Sequence, residues 1–247
     1  MRLHLIIGPT AIGKTRLAVA VAVTSGCPVI ALDRIQCHPE IAVGSGRPLT
    51  EELGGTQRVY LDTRPLSHGP ISASTAVDQL VRTQQQMLDD GVTTLAMEGG
   101  SISMLHELAI RTDWREGWTV RVTVCEESSA RRYEEKVASR VEQMLGYGAD
   151  PAGPRTLLDD LAALWDDPLA LKYASEVLGY REAIDLCERQ GFSARELTGP
   201  HGRLWRYELS GRIRDGHLAY SCQQRAAIAA ALPALHDFAE GVQWYRT

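Results

Sequence analysis

The sequence predicts an α/β fold, a P-loop doubly wound parallel sheet with a smaller all-helical C-terminal domain, and three observations predict it. Short apolar runs at residues 3–7, 29–32, 94–97 and 120–124 are bounded by turn residues and separated by stretches of helical periodicity. That is the pattern of parallel strands buried on both faces. The stretch GPTAIGKT, residues 8–15, follows the first run directly and fits G-x-x-x-x-G-K-[ST], a loop that joins strand to helix and cradles phosphate. Beyond about residue 126 strand signals stop and helical periodicity takes over.

Taken in order, the first run enters the phosphate loop. Gly8, Pro9 and Gly13 stand where the backbone must wrap so that successive N–H groups point inward, and the helix starting near Lys14 adds its positive end. Lys14 brings a full charge to an outer phosphate and Thr15 a hydroxyl suited to Mg²⁺. Lysine occurs only at positions 14, 136 and 172, so one at the motif position is not surface decoration. The motif alone leaves open whether the phosphates belong to a nucleoside triphosphate or to another phosphorylated compound. The second run ends in Asp33, facing the loop as a base or a metal ligand. Downstream, Ser45 and Arg47 lie in a Gly-Ser-Gly-Arg turn suited to a polar ring or a phosphate, while Cys37 and His38 read as packing residues. The third run ends in Glu98, Gly99, Gly100 and Ser101, an acid for the metal shell followed by glycines that permit close approach of a ligand. Ligands of open α/β sheets sit at the carboxyl edge of the strands, so these three groups should share one crevice. The remaining chain reads as helices, and GYGADPAGP at 146–154 is the expected boundary between a domain at 1–150 and one at 151–247.

Composition narrows the function. At 247 residues and 44% apolar content the chain can bury a large core, and its net charge of -5 disfavours a long nucleic-acid partner. Five scattered cysteines without a C-x-x-C pair fit a reducing, cytoplasmic setting. No apolar run approaches the length of about 20 residues needed to cross a bilayer, and the short N-terminal run passes straight into the loop as a first strand rather than a signal peptide. The chain has no asparagine, which removes the N-K-x-D guanine reader and N-glycosylation.

GPTAIGKT, ALDRIQCHPEIAVGSGRP, RVYLDTRPL, MEGGSISML, SRVEQML and GYREAI, in this order, closely resemble the bacterial adenylate isopentenyltransferases, the cytokinin-forming enzymes. The resemblance is dense over residues 1–145 and thinner to about 225. It implies that the loop carries the diphosphate of dimethylallyl diphosphate, with Mg²⁺ at Thr15, and that the acceptor is the N6 amine of AMP, or of ADP or ATP. Asp33 then accepts the amine proton, Thr10 donates to the bridging oxygen, and Lys14 and Arg140 stabilise the departing diphosphate. Family members that prefer a hydroxylated donor resemble one another in having an acid before Gly-Tyr-Arg and a histidine in the last long helix. Here Leu178 precedes Gly179, Tyr180 and Arg181, and Tyr220 falls where that histidine stands, with His217 one turn earlier. Loss of the acid favours the plain donor, with His217 and Tyr220 left as alternative partners for a hydroxyl; the further expectations are a helical region that closes the site, small-molecule partners, and a monomer or homodimer. The alternatives are a tRNA dimethylallyltransferase, whose family is longer and has an inserted tRNA-gripping domain, and an ATP-dependent small-molecule kinase.

Overall fold

A computed structural model of the protein describes residues 1–146, 155–199 and 202–247. Six strands, β1 (Arg2–Ile7), β2 (Val29–Ala31), β3 (Arg58–Tyr60), β4 (Thr94–Gly99), β5 (Thr119–Glu126) and β6 (Gly241–Arg246), form one sheet in the order β3-β2-β4-β1-β5-β6. Every pairing is parallel. Helices α1 (Lys14–Ser25), α2 (Ala73–Asp89), α3 (Ile102–Ile110) and α4 (Ala130–Leu145) connect or follow the strands. Then come α5 (Leu157–Leu164), α6 (Pro168–Ala174), α7 (Tyr180–Gln190), α8 (Ala194–Thr198) and α9 (Gly202–His236).

Alternation along β1 shows why the sheet is covered on both faces. Leu3, Leu5 and Ile7 enter a core with Leu80 of α2, Leu105 of α3 and Ile228 of α9, whereas Ile6 points the other way into a core with Ala18 and Ala22 of α1 and Val137 of α4. The same second core runs on through Leu157, Leu161, Tyr180 and Leu209, so the helical region is continuous with one face of the sheet. At 35 residues, α9 is about 52 Å long. Its N-terminal half buries Leu209 and Ile213 with the helices, and its C-terminal half buries Ala231 and Leu235 against the opposite face of the sheet.

The α/β class, the four strands visible as apolar runs and the helical C-terminal region are all present. Two strands go beyond the periodicity. β3 is only three residues long, and the C-terminal stretch is not helical to its end, because β6 pairs with β5 from Arg121–Gly241 to Glu126–Arg246. β6 is an edge strand with Trp244 and Tyr245 exposed, so it carries no apolar alternation. The ladder holds it, together with a Gln243 Nε2 bond to Thr123 Oγ1 at 2.8 Å and the Arg246–Glu126 pair at 3.0 Å. Of the boundary expected at 146–154, only Gly146 lies within the described residues, as the left-handed cap that ends α4.

Candidate active site

β1 and β4 run side by side with Ile6 opposite Glu98, and Ala31 of β2 is opposite the same Glu98. The groups that follow these three strands therefore emerge together at the carboxyl edge. They open into a cleft of about 1370 Å³ whose lining includes Thr10, Lys14, Asp33, Glu98, Arg140 and His217.

Local backbone demands explain the glycines. A Cβ on Gly8 would lie 2.9 Å from the Cys125 carbonyl oxygen, and Gly13 caps α1 at φ 91°. A Cβ on Gly99 would stand 2.5 Å from the Leu32 carbonyl oxygen, and one on Gly100 2.3 Å from that of Gly8. The phosphate loop thus lies directly against the turn after β4. Within it Lys14 Nζ donates to the Pro9 carbonyl at 2.7 Å, and Thr15 Oγ1 donates to Glu98 Oε1 at 3.1 Å. Burial lowers the Lys14 pKa, with Glu98 and Asp33 among the charges that oppose the shift. Asp33 accepts the Ile35 amide at 2.9 Å, and burial raises its pKa, assisted by the negative charge of Glu98.

Glu98 is also held from the side. Arg58, at the start of β3, donates to Glu98 Oε1 at 2.5 Å and to Gln36 Oε1 at 3.1 Å, and both ionic side chains are almost fully buried. Lys14, Glu98 and Arg58 form an alternating row of charge beneath the loop.

The opposite wall comes from α4, α7, α9 and the 44–46 segment. Arg140 donates to the Val43 carbonyl at 3.4 Å, and burial lowers its pKa. Ser45 lines the cleft and bonds the Ala42 carbonyl at 3.1 Å. Lys136 and Arg132, one and two turns from Arg140, also line it; Lys136 bonds Glu127 at 3.0 Å and Thr247 Oγ1 at 2.6 Å. At the far end stand Leu178, Arg181, His217 and Tyr220. Arg181 pairs with Glu182 at 2.7 Å, and burial raises the Tyr220 pKa. His217 is 9% exposed with neither ring nitrogen bonded, and burial lowers its pKa.

Of the residues expected from the sequence, Thr10, Gly13, Lys14, Thr15, Asp33, Ser45, Glu98, Gly99, Gly100, Ser101, Arg140, Leu178, Arg181, His217 and Tyr220 line this cleft. Gly8, Pro9, Arg47 and Tyr180 do not; they hold its walls. Arg47 Nε donates to the Gln36 carbonyl at 2.6 Å and its guanidinium lies 3.9 Å over the Tyr60 ring. Tyr180 is fully buried, donating to Asp160 Oδ2 at 2.8 Å and accepting the Gly44 amide at 3.0 Å. Asp160 in turn accepts the Val43 amide at 3.1 Å, so the pair ties the backbone at Val43 and Gly44 to α5 and α7. Cys37 and His38 are packing residues, both fully buried, and burial pushes the Cys37 thiol up to about 11. Sequence reasoning missed Arg58, Gln36, Tyr133 and Gln224. Their partners lie tens to hundreds of positions away, and no local motif marks them.

The family profile described as Isopentenyl transferase matches residues 1–236. An adenylate dimethylallyltransferase of Agrobacterium tumefaciens strain Ach5 is 39% identical over 98% of this chain and 98% of its own length. A second, from strain T37, is 39% identical over 91% of this chain and 90% of its own. Among solved structures, a tRNA isopentenylpyrophosphate transferase of Bacillus halodurans superposes with a TM-score of 0.68 at 15% identity, covering 99% of this chain and 89% of that one. A eukaryotic dimethylallyltransferase acting on tRNA gives 0.69 at 11% identity, covering 99% of this chain and 74% of that one. The structural neighbours share the fold, while the profile and the sequence relatives show the kinship: the chain belongs to the isopentenyl transferase family and is a prenyltransferase.

Proposed function

We propose that the protein transfers the dimethylallyl group of dimethylallyl diphosphate to N6 of AMP, releasing diphosphate and giving an isopentenyladenine nucleotide, the first step of cytokinin formation. One observation carries this reading: a phosphate loop with a half-buried lysine shares a single cleft with a carboxylate of raised pKa just beyond β2. The adenine amine is a weak nucleophile because its lone pair is delocalised into the ring, so a carboxylate must take its proton as the N6–C1 bond forms. Asp33 does so, and the C1–O bond breaks with its electron pair passing to the diphosphate. Lys14, the loop amides and Arg140 take up that charge, and Thr10 donates to the bridging oxygen. No phosphoryl group moves.

The donor set beneath the loop suits Mg²⁺. Thr15 and Glu98 offer hard oxygens in contact with each other, and among the described residues no group of three or more His, Cys, Asp or Glu forms a cage. An ion held chiefly by substrate phosphate and water fits such a site. Mg²⁺ there would neutralise diphosphate charge, with Thr15 and Glu98 as its protein contacts.

Residues 1–150 supply the loop and Asp33, and residues 151–247 close the prenyl end with Leu178, Arg181, His217 and Tyr220. Among the described residues no helix is long and apolar enough to cross a membrane, and buried free thiols suit a reducing cytoplasm. A tRNA acceptor is the second reading, favoured by the solved neighbours; the net charge of -5 opposes it. Incubation with Mg²⁺, AMP and dimethylallyl diphosphate tests the assignment: the nucleotide should gain one C5 unit and keep its phosphate. Formation of ADP in the presence of ATP would identify a kinase instead.

A further inference from the structure

We propose that Gln224 and Tyr133 clamp Thr10 so that its hydroxyl, rather than its amide, faces the donor, which makes them positioning residues for diphosphate departure; this rests on the prenyl-transfer reading above. Thr10 is gripped at both of its backbone polar groups by side chains from different helices. Its N–H donates to Gln224 Oε1 of α9 at 2.8 Å, and its carbonyl accepts from the Tyr133 hydroxyl of α4 at 2.9 Å. In a phosphate loop successive amides ordinarily aim at the anion. Here the Thr10 amide is already committed to an internal acceptor, so Thr10 meets the cleft through its side chain.

The other end of Gln224 shows why the residue is an amide. Nε2 donates to the Gly100 carbonyl at 2.7 Å, so one side chain accepts from the phosphate loop and donates to the turn after β4. A carboxylate has no donor for the second bond, and an alanine would leave a buried donor and a buried acceptor unpaired. The turn is built around this bond. A Cβ on Gly100 would lie 2.9 Å from Gln224 Nε2 and 2.3 Å from the Gly8 carbonyl. Gln224 and Tyr133 are each 4% exposed, which keeps water from replacing either contact. Arg225, the residue after Gln224, sits 4.8 Å over the Tyr133 ring, so the two clamp residues are themselves packed together through α9. Thr10 thus has little freedom to tilt, and a hydroxyl aimed at a developing oxyanion needs that restriction, because misplacement by about 1 Å can cost about 100-fold in rate.

The test uses steady-state kinetics of the full chain with AMP and dimethylallyl diphosphate for Gln224→Met, which keeps the length and loses both bonds, Tyr133→Phe and Thr10→Ala, and for each clamp variant combined with Thr10→Ala. Tyr133→Phe keeps the ring and removes one O–H, so it separates the contact from the fold, and thermal midpoints accompany every variant. The expected result is a kcat loss of about 10- to 100-fold for each clamp variant with the donor KM nearly unchanged. Placed on Thr10→Ala, the same substitutions should cost no more than about twofold further, because the group they orient is gone. Losses that multiply undiminished in the Thr10→Ala background, or that fall wholly on KM, would overturn the clamp while leaving prenyl transfer standing. A wild-type chain that adds no C5 unit to AMP would overturn both.

Discussion

Asp33 is held against the Ile35 amide and raised in pKa by burial, and the direction of that shift fixes its pH behaviour. Proton acceptance requires the carboxylate, so rate is lost as pH falls through the folded-state value. Because burial raises that value above the ordinary 3.8, the acid limb of kcat/KM against pH should lie above the normal aspartate range and should vanish in Asp33→Asn. That variant should lose about 10²- to 10⁴-fold in kcat while retaining donor binding by calorimetry; unchanged turnover would remove Asp33 from the chemistry. Leu178 sets a second expectation. It lines the cleft, as does the unbonded His217, and its Cδ2 lies 3.0 Å from where a Cβ on Gly216, the residue before His217, would stand. An apolar wall rejects an added hydroxyl weakly, whereas a site built to bond one strongly favours the hydroxylated donor. Leu178→Asp should therefore shift the ratio of kcat/KM between hydroxylated and plain donors toward the former, and an unmoved ratio counts against the assignment.

Between elements, the decisive contacts are those that bring the strand ends into register. Gly100 lets the turn after β4 rest on the phosphate loop, and Gly100→Ala places a methyl 2.3 Å from a backbone oxygen that cannot swing aside. The cost should be about 1–3 kcal/mol by urea unfolding, with a larger proportional loss of activity because the loop itself is displaced. Arg58 shows the same logic in charge. It reaches from β3 to Glu98 of β4 with both side chains buried, so Arg58→Met strands a buried carboxylate. A loss of about 3–5 kcal/mol is expected, measured by the urea midpoint at neutral pH; a loss below 1 kcal/mol, about the worth of an exposed pair, would show that the pair contributes little. Four strands and the loop were legible because each is encoded locally, by a run of apolar residues or by a motif of eight. β3 and β6 were not, since both are sheet edges without a buried apolar run, β3 half-buried throughout and β6 mostly exposed, and they are held by main-chain bonds that any sequence can make. Arg47, from the guanidinium of its Gly-Ser-Gly-Arg turn, and Tyr180, from the Gly-Tyr-Arg motif, read as ligand contacts, yet their polar atoms turn inward to hold the Gly44 backbone and Gln36.

For the whole molecule, burial sorts the thiols. Cys27, Cys37, Cys125 and Cys187 are buried and Cys222 is exposed, all of them free. A thiol reagent should titrate one group rapidly in the native protein and five after denaturation; more than one fast thiol would mean that the two cores open readily. The long helix α9 joins those cores, burying residues on both sides of the sheet, so the helical region and the sheet are expected to unfold together.

The sequence by itself determined the doubly wound class, the phosphate loop, the carboxylate facing it and the kinship with prenyl-transferring enzymes, because these depend on local periodicity and on short motifs. Only the tertiary structure decided which of the named residues touch the cleft and which support it, that the chain returns to the sheet as β6, and that Gln224 grips a loop 214 positions away. The physical reason is that a side chain's partner across the fold is set by packing and hydrogen-bond satisfaction, which leave no periodic trace in the chain.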